Sequence, residues 1–290
     1  MRDLKGKVAV ITGGASGIGL AMAERFAREG MKLIIGDIQP DAIERAVAQL
    51  RHHGVEVVGV RADVSKYEEV EALARSALEA FGKVHVVVNN AGVSITGPTW
   101  RMSLDDWRWV LDVNFWGVVH GVRAFTPILI AQGEPAHVVN TASLAAFVGI
   151  GQHAPYCASK AAVLSVSQAL RSELVAELHP IGVSVVCPGM VATDIHRSWR
   201  NRPQGDQPWS DREWNDPEVI AHANSVQGAG VAPELIAEAT LQAILEDRFY
   251  VFYGDFVAPY LAGLLTPILT AGEPPVITWG PDLRPEAPSR

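Results

Sequence analysis

Short apolar runs rich in valine and isoleucine recur along the chain, and longer stretches with helical spacing separate them. Lys7–Thr12, Lys32–Gly36, Glu56–Val60, Val84–Val88, His137–Asn140, Val183–Val186 and Tyr250–Tyr253 read as strands. Gly19–Arg28, Asp41–His52, Glu68–Phe81, Leu104–Ile130 and Tyr156–Leu178 read as helices. The strands are apolar at nearly every position, so helices are expected on both faces of the sheet. Alternating strand and helix units with right-handed crossovers predict an α/β fold, a Rossmann-type doubly wound parallel sheet of about seven strands. No repeat and no linker interrupts residues 1–255, which are expected to form a single domain followed by an extension over 256–290.

Two segments break the rhythm. Arg197–Pro217 is polar, holds Pro203, Pro208 and Pro217, and carries Trp199, Trp209 and Trp214. A connection of that length is expected to be a lid or binding loop, within about 190–230, whose tryptophans would face a ring-bearing substrate or a subunit contact. Glu273–Arg290 holds five prolines and is not expected to form regular structure.

Composition narrows the function classes. Lys+Arg number 24 against 32 Asp+Glu, a net charge of −8 with no basic run, which excludes nucleic acid as the main partner. A 48% hydrophobic and 19% charged chain has the material for a large core. Two cysteines, Cys157 and Cys187, are too few for a disulfide framework and fit a reducing, cytoplasmic setting. Met1–Lys7 is short and charged, and a strand follows at once, so no signal peptide is expected. The longest stretch free of charged residues and histidine, Phe256–Gly272, spans 17 residues and is broken by Pro259 and Pro267. It is too short to cross a bilayer and is expected to be buried, capping the pocket or lying against a neighbouring subunit.

Candidate chemistry begins at Thr12-Gly-Gly-Ala-Ser-Gly-Ile-Gly19, between the first strand and the first helix. Gly13, Gly17 and Gly19, with Ser16 and Ile18 between them, would let the backbone approach a pyrophosphate at the positive end of the helix. The spacing is G-x-x-x-G-x-G rather than the commoner dinucleotide pattern, and a plain tight strand–helix joint would use glycines too. Asp37 lies at the end of the second strand, about twenty residues on, where an acid can take both ribose hydroxyls of NAD and would repel a 2′-phosphate. Neither Ala15 nor Ile38 supplies a cation for that phosphate. NAD is therefore the expected cofactor.

Tyr156-Cys-Ala-Ser-Lys160 puts a phenol and an ammonium on one helix face. Alone this is a cheap pairing. Its companions are Ser143, 13 residues earlier; Asn89-Asn90-Ala91-Gly92 at the end of the fourth strand; Asn114 within a long helical stretch; and Cys187-Pro188-Gly189-Met190-Val191-Ala192-Thr193 after the sixth strand. In this order, over roughly residues 5–255, they resemble the short-chain dehydrogenase/reductase family.

The resemblance implies roles at the matching positions. Tyr156 would be the general acid/base, Lys160 would bind the nicotinamide ribose and lower the tyrosine pKa, Ser143 would hydrogen-bond the substrate oxygen, and Asn114 would hold a water in a relay to Lys160. Asp63 and Val64 would contact the adenine, Asn90 with Ala91 and Gly92 would line the cofactor, and Pro188, Gly189, Val191 and Thr193 would meet its nicotinamide end. His153 and Met190 are candidate substrate contacts, although His153 would serve equally as an ordinary loop histidine. No metal is expected, since no His/Cys cluster has ligand spacing.

The expected activity is hydride transfer between NAD(H) and a bulky, largely apolar secondary alcohol or its ketone, aromatic ones included, in a homo-oligomer (dimer or tetramer). An NADP-linked carbonyl reductase and a catalytically silent dinucleotide sensor are the rivals. Asp37 speaks against the first and the Ser143–Tyr156–Lys160 set against the second.

Overall fold

The computed structural model describes residues 1, 3–206, 221, 225, 228–272 and 277 of the 290. Its strands are β1 Val8–Thr12, β2 Lys32–Asp37, β3 Val57–Arg61, β4 Val86–Asn89, β5 Ala136–Thr141, β6 Ile181–Val186 and β7 Tyr250–Val251. They form one parallel sheet in the order β3-β2-β1-β4-β5-β6-β7. The chain works outward from β1 to β3, then returns to place β4 on the other side of β1, leaving a crevice at their carboxyl ends.

The helices are α1 Gly17–Arg28, α2 Pro40–His52, α3 Tyr67–Phe81, α4 Leu104–Leu111, α5 Gly117–Gln132, α6 Ala154–Ala176, α7 Pro233–Glu246 and α8 Val257–Ala271. Successive strand side chains point to opposite faces. Ala9, Ile11, Leu33 and Ile35 therefore pack with Met22 and Phe26 of α1, Leu50 of α2 and Leu241 of α7. Val10, Ile34, Val87 and Val138 pack on the other face with Leu73 of α3, Phe125 of α5 and Leu174 of α6. Burial on both faces explains why the strands read as unbroken apolar runs.

The helices differ from expectation in two places. Leu104–Ile130 is not one helix: α4 and α5 are separated by a π turn at Asp112–Trp116. Inside that turn Asn114 binds both main-chain groups of Val93, accepting from its N–H at 2.8 Å and donating to its carbonyl at 3.0 Å. Such side-chain anchoring competes with regular helical register. Helix α7 was not expected, although Ile236, Leu241 and Ile244 bury one face of it. In the single chain, α8 is largely exposed. Only its first turn meets the core, through Val257 and Leu261, while Leu269 further along is 84% exposed.

Among the described residues, Leu104–Gln132 is the one stretch long and apolar enough to cross a bilayer, and its Val110, Val118, Phe125 and Leu129 are core residues. Pro208, Trp209, Trp214 and Pro217 of the expected lid lie outside the described residues, as does the tail except Ile277. The Ile277 carbonyl accepts from the Gly151 N–H at 2.7 Å.

Candidate active site

The carboxyl ends of β1, β2, β4, β5 and β6 open into one cavity of about 1750 Å³. Every site residue expected from the sequence lines it except Gly19 and Asn114, which stand behind the wall.

The glycine loop is shaped for close approach. Gly13 has φ +60°, and a Cβ there would lie 2.8 Å from the Ala91 Cα. A Cβ on Gly19 would lie 2.1 Å from the Gly13 carbonyl oxygen, so only glycine lets α1 start this near the loop. Ser16 precedes the helix without a side-chain cap bond, and the first turn of α1 holds no acidic residue. Its N–H groups are thus left for an anion. Asn90 braces the loop by donating from Nδ2 to the carbonyls of Thr12 (3.2 Å) and Gly13 (3.3 Å). Thr12, which the sequence reading passed over, accepts through Oγ1 from the Asn90 and Ala91 N–H groups at 3.0 and 3.2 Å.

Asp37 is 8% exposed at the end of β2. Oδ2 accepts from the Ala15 N–H at 3.2 Å and Oδ1 from the Gln39 N–H at 3.1 Å, leaving acceptor capacity on both oxygens. Burial pushes its pKa up, against the N–H groups of Gln39, Ala15 and Ile38 and the positive charge of Arg200. Neither Ala15 nor Ile38 is basic, but the segment after β6 does bring a cation toward Asp37. Further round the wall, the Asp63 carboxylate accepts from the N–H and hydroxyl of Ser65 at 3.1 and 2.6 Å.

The second cluster gathers where β5 meets α6. Ser143 follows β5 in extended conformation, and its Oγ accepts from the Ala145 N–H at 3.1 Å and donates to the Pro188 carbonyl at 3.4 Å. Tyr156 enters from the first turn of α6, where the Ser143 hydroxyl favours its phenolate. Lys160, one turn on and 3% exposed, donates to the Thr141 carbonyl at 2.8 Å and stands 5.6 Å from the Tyr156 ring centroid.

Burial decides both pKa values. It pushes the Tyr156 phenol up to about 12, against the Ser143 hydrogen bond, and the Lys160 ammonium down to about 8. In the free protein, burial is the largest influence on both groups. Asn114 lies beneath, and its side chain is engaged by Val93 and by Ser159, to whose Oγ it donates at 3.0 Å. Any water relay from this position would have to use another of its groups. His153 faces the cavity, and its ring nitrogens contact Thr96 Oγ1 at 3.2 Å and the Gly151 carbonyl at 3.3 Å.

A strap closes the cavity from above. After β6 the chain makes a run of 3₁₀ turns, Asp194–Asn201, that carries Ser198 and Trp199, and Arg202 follows. Ser198 Oγ accepts from the Ser94 N–H at 2.9 Å and donates to the Ser94 carbonyl at 3.0 Å. Arg202 pairs with the fully buried Asp106 of α4 at 2.5 Å and lies over the Trp109 ring. Neither pin was found in the sequence, because contacts across 96 to 104 residues leave no local pattern.

With this geometry in view, the short chain dehydrogenase profile matches residues 7–204. A 1-deoxy-11-beta-hydroxypentalenate dehydrogenase of Streptomyces avermitilis is 38% identical over 251 residues, 86% of this chain and 85% of that protein. A C alpha-dehydrogenase of a Sphingobium species is 35% identical over 254 residues, 87% of this chain and 81% of that protein. A solved short chain dehydrogenase/reductase from Burkholderia phymatum, in complex with NAD, superposes with a TM-score of 0.88 at 40% identity, covering 97% of this chain and 100% of that one. The chain belongs to the short-chain dehydrogenase/reductase family. It is an oxidoreductase of the kind that acts on hydroxyl and keto groups.

Proposed function

We propose that the protein is an NAD(H)-dependent dehydrogenase that interconverts a bulky, largely apolar secondary alcohol and its ketone. The observation that carries the cofactor choice is Asp37, a buried carboxylate with open acceptor positions where a 2′-phosphate would meet like charge. The glycine cradle and uncapped start of α1 fit a diphosphate, and the NAD complex of the Burkholderia protein supports the same reading.

When bound, the nicotinamide accepts or supplies a hydride. In this reading Ser143 donates a hydrogen bond to the substrate oxygen. Tyr156 exchanges the alcohol proton at its phenolic oxygen, taking it up during oxidation and returning it during reduction. Lys160, fixed to the Thr141 carbonyl, holds the nicotinamide ribose and supplies positive charge beside the phenol. Asn114 keeps the Val93 backbone, and with it the loop after β4, in place. Pro188, Gly189, Val191 and Thr193 line the nicotinamide end, and Asp63 and Val64 the adenine end.

The substrate class follows from the wall beyond Ser143, where Ile95, Leu144, Trp109, Met190, Trp199, Phe256 and Tyr260 line the cavity. A sugar would bring more hydroxyls than the Tyr260 phenol and the two indole N–H groups on this wall can pair. The relatives named 1-deoxy-11-beta-hydroxypentalenate dehydrogenase and C alpha-dehydrogenase are consistent with that preference. The uncovered apolar side of α8 supports assembly with further copies of the chain.

NADH fluorescence titration followed by turnover with NAD and NADP, over terpenoid, steroid, aryl and polyol alcohols, tests the proposal. Preference for NAD with a terpenoid, steroid or aryl alcohol is expected. Preference for NADP, or the highest kcat/KM on a small polyol, overturns the corresponding half.

A further inference from the structure

The strap after β6 starts on the glycine loop: a Cβ on Gly17 would lie 3.1 Å from Thr193 Cγ2, and Ser16, Gly17, Thr193 and Asp194 share one depression of the surface. From the strap's far end the Arg200 side chain turns back, and Nη1 donates to the carbonyls of Arg197 at 2.7 Å and Asp194 at 3.3 Å. Those two bonds hold the guanidinium against the start of the strap, in the wall of the cavity that Ser16, Gly17 and Asp37 also line. Asp194, whose carbonyl it binds, borders the same depression as Ser16 and Gly17, and its positive charge is felt at the Asp37 carboxylate. The loop itself, Thr12–Gly19, contains no Lys or Arg.

We infer that Arg200 is a cofactor-binding residue carried by the strap: its guanidinium contacts the diphosphate of the dinucleotide from above, opposite the N-terminus of α1. This rests on the dinucleotide reading above and extends it to a residue outside the glycine loop. A planar guanidinium suits phosphate oxygens because it donates two parallel hydrogen bonds, and with Nη1 given to carbonyls, Nη2 and Nε remain for the ligand. The same contact would join cofactor occupancy to strap position, since the cation moves with Ser198 and Trp199. The carboxylates nearby are Asp37, which would take the ribose hydroxyls, and Asp194, whose side chain is on the strap itself.

The test uses ADP-ribose, which contains the diphosphate and both riboses without a reactive ring, and 2′-phospho-ADP-ribose beside it. Dissociation constants are measured by calorimetry for the wild type, Arg200→Met and Arg200→Lys, each at low and high salt. Arg200→Met is expected to weaken ADP-ribose about tenfold, to flatten its salt dependence, and to leave the thermal midpoint of the free protein unmoved. Arg200→Lys should recover part of the loss, since the charge returns without the fork. A wild type that binds ADP-ribose with an unchanged Arg200→Met variant overturns the assignment of Arg200 alone. A loss confined to the 2′-phosphorylated ligand also overturns it, placing Arg200 at the ribose phosphate instead. A wild type that binds neither ligand overturns this assignment together with the dinucleotide reading.

Discussion

Lys160 and Tyr156 are one helical turn apart, yet the ammonium is tied to the Thr141 carbonyl at 2.8 Å and reaches only to 5.6 Å from the phenol's ring centroid. The Ser143 hydroxyl favours the phenolate, but burial pushes the Tyr156 pKa up to about 12. Alcohol oxidation requires the phenol to accept a proton, so its rate should rise with pH, whereas ketone reduction should fall. Ser143→Ala removes a bond that favours the phenolate and should move the oxidation profile to higher pH. Tyr156→Phe should fold and bind NADH but lose about 10²–10⁴ or more in kcat. Steady-state pH–rate profiles in both directions check all three, and a near-native Phe variant would sink the tyrosine mechanism.

The buried amine of Lys160 should make the resting protein less stable than a variant without it. Its pKa is about 8 in the fold against 10.5 in a free chain, so below pH 8 both states are charged and the fold bears the full penalty, about 3 kcal/mol. Above 10.5 both are neutral and the penalty is gone. Wild type should therefore gain stability relative to Lys160→Met as pH rises from 8 to 10.5. Denaturant midpoints at three pH values would read this out, and a constant difference would contradict the burial argument.

Cofactor choice should turn on Asp37. Asp37→Ala combined with Ile38→Arg removes like charge and adds a cation, and should raise the NADP/NAD ratio of kcat/KM by at least about tenfold. Kinetics with both cofactors give the ratio directly. No change would mean that discrimination lies elsewhere.

The pin between Asp106 and Arg202 should matter more for stability than a surface pair. Asp106 is fully buried and also closes a capping box at α4, accepting from the Ser103 N–H at 2.8 Å. Asp106→Ala leaves Arg202 over Trp109 with the longer pair to Asp206 at 3.4 Å, and should cost about 3 kcal/mol, while Asp106→Leu with Arg202→Met should restore much of it. Urea unfolding of the single and double variants tests the coupling. Additive effects would refute it.

The sequence made the sheet legible because its strands are covered on both faces and so carry an unbroken signal, and the site legible because its groups fall at fixed offsets from strand ends. Lost from view were features set by distant partners. Asn114 sits in a π turn because it binds Val93, and no periodicity reports that. The Tyr156 pKa depends on how much water three elements exclude, which spacing cannot convey. Arg200 lies 163 positions beyond Asp37 in the chain, so a search near the second strand for a cation had nothing to find.

The division of each strand between two cores has a bearing on how this chain tolerates insertions. One residue added within β1 would carry Ile11 and Val10 to the wrong sides of the sheet and invert every neighbour after them. Added after Thr12, Asn89, Thr141 or Val186, at the ends that open into the cavity, it would lengthen a loop and leave both cores in register. The rim of the pocket is thus where length can drift between relatives, and substrate range can change by indel while the scaffold is inherited intact.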